Sequence, residues 1–158
     1  MAGTRPALPD ATNGAFLLQA LDEANARRAE HHAPPLAMDA LLVDYAKARA
    51  AALSEHEGLR AGHHGLRAGT GENLYWRAGD DMSDAAEAVA SWYAESAAYD
   101  WDDPRPGHFS RLVWRSTTRM GAARVAGQGP EAYETYIVFV FEPLGDIQGE
   151  HEKNVSRP

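Results

Sequence analysis

The sequence contains no cysteine. This excludes disulfides, thiolate metal sites and cysteine nucleophiles, so the 158 residues must be held by their core alone. It does not fix the compartment, because a well-cored secreted domain can do without disulfides. Basic residues are scarce as well: 15 Lys and Arg stand against 23 Asp and Glu, for a net charge of −8. Neutralising phosphates supplies most non-specific nucleic-acid affinity, so this balance argues against DNA or RNA as a partner. It also argues against an electrostatic grip on anionic lipid. Long apolar runs are missing, and nothing approaches the roughly 20 residues that span a bilayer, so no transmembrane segment is expected. The opening stretch Met1–Pro9 lacks the apolar region of a secretory signal. Either the protein is not exported, or a signal was removed and a fresh initiator supplied.

Several catalytic motifs are also missing. There is no His-Glu-x-x-His zinc helix, no Gly-x-Ser-x-Gly elbow, no phosphate loop and no dinucleotide fingerprint. Internal repeats are absent.

What remains is the composition of one globular domain, 44% hydrophobic and 24% charged. Residues 1–13, rich in Pro, Gly and Thr, read as a flexible leader, and 14–158 as a single domain. A helix is expected from Phe16 until Pro34-Pro35 forbids it, with Leu17, Leu21, Ala24 and the Arg28 stem on one face. A second helix spans about Met38 to Ser54, burying Leu41, Leu42, Tyr45, Ala48, Ala52 and Leu53. Gly58 to Gly71 is a glycine-broken loop, and Glu72–Arg77 a short strand. Asp84 and Glu87 fit a capping box that starts a helix running to about Tyr99. A short helix from His108 to Trp114 precedes two strands, Arg119–Ala126 and Tyr133–Phe141; the polar tail after Glu142 should lie over the surface. Helices first and antiparallel strands last describe an α+β layered domain.

Three side chains stand out. His108 follows Pro-Arg-Pro-Gly at a helix start, where the dipole field keeps imidazole neutral and fit for metal ligation or general-base work. The alternative is an ordinary helix-start histidine. Glu95 lies three residues after Trp92 and four before Tyr99, bordering an apolar stripe, so its carboxylate needs a partner or a raised pKa. Glu72 heads into Leu74-Tyr75-Trp76 and either joins a site or fixes its loop by accepting backbone amides. The other histidines read as bland. His31 and His32 suit a helix C-terminus, and His56 and His151 read as solvated.

Five segments then converge. Asn25–Leu36 carries N-x-x-R-x-x-H-x-x-P-x-L, and Gly71-Glu72-Asn73-Leu74 is followed by Trp92-Tyr93-Ala94-Glu95. Gly107–Thr117 reads Gly-His-Phe-Ser-Arg-Leu-Val-Trp-Arg-Ser-Thr, and Phe141–Glu150 carries the closing Phe-Glu-Pro-Leu-Gly-Asp stretch. In order and spacing they resemble the CAP superfamily, the SCP or pathogenesis-related-1 type, over about residues 16–155. The resemblance implies a three-layer α-β-α sandwich with a central antiparallel sheet. It also implies a cleft tetrad of two His and two Glu, falling on His64, Glu72, Glu95 and His108, with His63 the alternative first histidine. The metal ligands would be His64 and His108, holding Zn²⁺ or another divalent cation, with both carboxylates orienting rings or water. The absence of cysteine, with Val138-Phe139-Val140-Phe141 where relatives often place one, leans towards a bacterial or intracellular branch.

Three functions are compatible with these residues. The first is a non-enzymatic binding module, extracellular by resemblance, that binds metal in the cleft and sterol or another lipid in a groove. The second is a metal- or His-assisted hydrolase, peptidase- or esterase-like, using Glu72, Glu95 and His108, with Ser110 or Ser116 as nucleophile and a cytoplasmic location open. The third is a purely structural polar network, for which Glu72→Ala costs about 1–3 kcal/mol. The expected assembly is a monomer or a weak homodimer.

Overall fold

The computed structural model describes residues 4–158. Helix α1, Gly14–Glu30, starts where the Asn13 side chain accepts from the Phe16 amide at 2.8 Å. Its buried stripe is Phe16, Ala20, Ala24 and Arg28, one position off the expected Leu17 and Leu21, which pack at the margin. After the two-residue strand β1, Ala37–Met38, Asp39 caps helix α2, Ala40–Ser54. Here too the stripe turns: Leu42, Ala46, Ala50 and Leu53 are buried, whereas Leu41 is 78% exposed. Strand β2 spans Gly71–Gly79. Helix α3, Ala85–Tyr93, opens with the capping box expected at Asp84 and Glu87. It does not run on to Tyr99, because the chain tightens into a 3₁₀ turn over Ala94–Ala98. Helix α4, His108–Leu112, leads to the hairpin of β3, Arg119–Gln128, and β4, Tyr133–Glu142. A last short helix, α5, His151–Asn154, was not anticipated.

The sheet has the order β1-β3-β4-β2, with β3, β4 and β2 antiparallel and the short β1 parallel to β3. The period-2 alternation of β4 divides the core. Ile137, Phe139 and Phe141 face α1, α3 and α4, whereas Tyr136, Val138 and Val140 face α2. This is the expected α-β-α sandwich. The α2 layer sits very close: a Cβ on Gly121 would lie 2.2 Å from the Leu42 carbonyl carbon, so only glycine fits there.

Two expectations need correction. Residues 4–13 are no loose leader, although residues 1–3 lie outside the described residues. Asp10 bridges Val125, and Arg5 bonds the Ser54 carbonyl at 2.9 Å and both Glu134 oxygens at 3.0 and 2.7 Å. A segment without apolar periodicity gives no hint of such partners. The tail after Glu142 is also built in, for His151, Asn154 and Val155 are buried and Asn154 accepts from the Ser116 amide at 3.0 Å.

Candidate functional site

Strand β2 is an edge strand, and its consecutive residues point to opposite faces. Glu72 turns toward α2. Its side chain is fully buried, and Arg49 from α2 meets it with Nε to Oε2 at 2.6 Å and Nη2 to Oε1 at 2.7 Å. His63 Nδ1, from the glycine-rich loop, bonds the same Oε1 at 2.8 Å. Burial pushes the Glu72 carboxyl up, but the hydrogen bonds from Arg49 and His63 outweigh it and hold the group below its ordinary value.

The second pair forms where α3 ends. Glu95, on the 3₁₀ turn, accepts the backbone amides of His108 and Phe109 on Oε1 at 2.8 and 3.2 Å, and His108 Nδ1 meets Oε2 at 2.6 Å. One carboxylate thus caps α4 and orients the ring at its first position. Burial pushes Glu95 up, and the bonds from the His108 ring and the two amides reverse this and lower it. Gly107 leaves room for this approach: a Cβ there would sit 2.8 Å from Glu95 Oε1 and push the carboxylate aside. The Trp92 indole stacks on His108 at 6.4 Å between ring centroids.

Asn73 and Arg111 join the two pairs. Asn73 Nδ2 donates to the His108 carbonyl at 3.1 Å, and Arg111 Nη1 donates to the Glu72 carbonyl at 3.1 Å and to Asn73 Oδ1 at 3.0 Å. In each pair Nδ1 is taken by a carboxylate, and neither Nε2 has a hydrogen-bond partner among the described residues. His63, not His64, therefore stands against Glu72. His64 instead presents its backbone carbonyl to Arg49 at 2.7 Å and lines a cleft of about 220 Å³ with Arg49, Leu53 and Leu74.

The model of the cysteine-rich secretory protein family, CAP, matches residues 21–141. The chain belongs to that family. Human Golgi-associated plant pathogenesis-related protein 1 is 28% identical to this CAP domain over 149 residues, 90% of this chain and 94% of the relative. Pathogenesis-related protein 1A of Nicotiana tabacum is 34% identical over 82% of this chain and 76% of its own length. Secreted protein RBT4 of Candida albicans is 31% identical over 90% of this chain, which spans only 41% of that longer protein. Among solved structures, NaASP2 with Zn²⁺ superimposes with a TM-score of 0.66 at 18% identity, covering 96% of this chain and 92% of NaASP2.

In this CAP domain the hydroxyls of Ser110 and Ser116, the two serines raised as nucleophiles, are engaged elsewhere. Ser110 is 1% exposed, and its hydroxyl is held by the Asp146 carboxylate and the Gly107 carbonyl. The Ser116 hydroxyl donates to Asn154 Oδ1 at 2.5 Å. Neither bonds His63 or His108 among the described residues.

Two histidines read as solvated or frayed are buried. His31 bonds the Ser156 carbonyl and the Tyr93 hydroxyl, both at 2.8 Å, and His151 sits 3.2 Å from Asp146 against the Trp114 ring. Their partners lie 62 to 125 residues away for His31, beyond any local pattern. Arg49, Asn73, Arg111 and Asp146 were missed as site residues. For Asn73 a signal existed, because it completes the Gly-Glu-Asn motif.

Proposed function

We propose that this CAP domain is a non-enzymatic binding module in which His63 and His108 hold a divalent cation, Zn²⁺ or a similar ion, through their Nε2 atoms. The supporting observation is the matched pair of carboxylate–histidine contacts, 2.8 Å at Glu72 and 2.6 Å at Glu95. A carboxylate on Nδ1 fixes the tautomer, leaves Nε2 as the lone-pair donor and makes it a better ligand. Among the described residues no group of three or more His, Cys, Asp and Glu is arranged to hold a metal ion. A donor set of two imidazoles with water completing the shell would make an open and exchangeable site rather than a closed structural one. NaASP2 was solved with Zn²⁺ on the same fold, in keeping with this assignment.

For the lipid part we propose a cleft of about 510 Å³ lined by Tyr99, Trp101, Pro104 and Val155 together with the polar Asp102, Glu152 and Arg157. The Tyr99 and Trp101 rings would take the apolar body of such a ligand, and the charged residues its polar head. Relatives named as secreted favour an extracellular location.

Zinc titration by calorimetry tests the cation site, with metal analysis and native mass spectrometry of the purified protein giving ion and stoichiometry. His63→Ala and His108→Ala should each abolish binding, and unchanged affinity in either would remove the reading. Titration with a fluorescent sterol and a fluorescent fatty acid tests the cleft; no saturable signal would reject a lipid there.

A further inference from the structure

The two His–Glu pairs are carried by different parts of the fold. Glu72 is on β2, held from α2 by Arg49, whereas Glu95 and His108 belong to the 3₁₀ turn and α4. Two imidazoles can share one ion only if these parts keep a fixed separation. A residue sits at their junction. The Arg111 guanidinium reaches the Glu72 carbonyl at 3.1 Å, Asn73 Oδ1 at 3.0 Å and Asp146 Oδ2 at 3.0 Å. Its stem lies along Gly71, where a Cβ would come within 3.2 Å of Arg111 Cδ. Asp146, with a side chain 4% exposed, in turn accepts the Gly107 amide at 3.1 Å, one residue before His108. Its other oxygen takes the Ser110 hydroxyl and lies 3.2 Å from His151.

We propose that Arg111 is a positioning residue that locks β2 to the start of α4 and so sets the spacing of His63 and His108. The proposal rests on the cation reading above for its functional meaning, but not for its geometry. A planar guanidinium is suited to the task because its fixed fork of donors meets two acceptors on β2 and one on the segment after β4 at once. A lysine ammonium on a flexible stem lacks that fixed fork. Asn73 completes the lock, accepting from Arg111 and donating to the His108 carbonyl.

The test combines zinc calorimetry, well below the melting temperature, with amide hydrogen exchange at Gly107 and His108, on the full chain. The variants are Arg111→Met, Arg111→Lys and, as a control, Arg105→Met, whose parent side chain bonds, among the described residues, only the exposed Asp103. Arg111→Met and Arg111→Lys should each weaken zinc binding at least tenfold and speed both amides at least tenfold, with Arg105→Met at wild-type values. A lower melting temperature with zinc affinity within twofold of wild type would overturn the proposal, since a merely structural residue gives that result. If wild type itself binds no zinc, the cation reading falls and exchange alone decides: faster amides in the Arg111 variants uphold the lock, and unchanged amides end it. Should Arg111→Met fail to fold, Arg111→Lys carries the same comparison.

Discussion

Arg49 and Glu72 face each other in a two-pronged pair, 2.6 and 2.7 Å, with the carboxylate side chain wholly out of water. That relationship changes what Glu72 is. It is the anchor of its histidine and also the counter-charge of a helix α2 arginine. Removing one member of a buried pair leaves an uncompensated charge, which costs more than a lost hydrogen bond. Glu72→Ala should therefore destabilise the domain by about 3 kcal/mol in urea unfolding, the top of the range for a simple polar network.

The same pair sets a pH dependence. The Glu72 carboxyl is held below its ordinary value in the folded state, so its contribution is present above the unfolded titration near about pH 4.3. It is lost as pH falls through the lower folded value. Glu95 is lowered as well and adds to the same trend, more weakly because it is 43% exposed. Melting temperature against pH should fall below about pH 4 in wild type, and less steeply in Glu72→Gln.

His63 and His64 are neighbours with different tasks. His64→Ala should leave zinc affinity within twofold of wild type, whereas His63→Ala should abolish it. Calorimetry on the two variants separates them directly.

Arg28 is 0% exposed and donates to the carbonyls of Pro34, Leu112, Trp114 and Thr117, at 2.9, 3.1, 2.8 and 3.0 Å. Burial alone lowers its pKa to about 10, still far above neutral, so it remains a cation. It pins the end of α4 to α1. Arg28→Met should cost at least about 3 kcal/mol, because buried carbonyls lose their donor. Chemical denaturation measures this.

Gly121→Ala should be as damaging from the opposite cause. The added methyl would enter the α2 backbone, and overpacking of this kind costs about 1–3 kcal/mol or more. Thermal unfolding should show a lower midpoint, and soluble yield should drop.

Much of the fold is legible in the sequence. Asp84 and Glu87 announced α3, Pro34-Pro35 stopped α1, and the Tyr136–Phe141 run gave β4, because caps, prolines and period-2 runs act on near neighbours. The family motifs brought Glu72, Glu95 and His108 into view, and the structure sets Glu95 beside His108 and Glu72 beside a loop imidazole. Choosing between adjacent histidines was beyond the sequence, since a loop with glycines at positive φ, Gly62 and Gly65 among them, fixes side-chain directions only once it has docked. So too was the 3₁₀ turn that aims Glu95, which depends on what α4 presents to it.

Local spacing in the sequence was enough for the layered class and the order of the main helices and strands, and the family motifs pointed to Glu72, Glu95 and His108. Tertiary structure alone decided which imidazole meets Glu72, that Arg49 and Arg111 both bond Glu72, and that residues 4–13 and the tail are hydrogen-bonded to the domain. Hydrogen bonds between residues dozens of positions apart depend on distances through space, and those come into being only when the sheet and its two helical layers close.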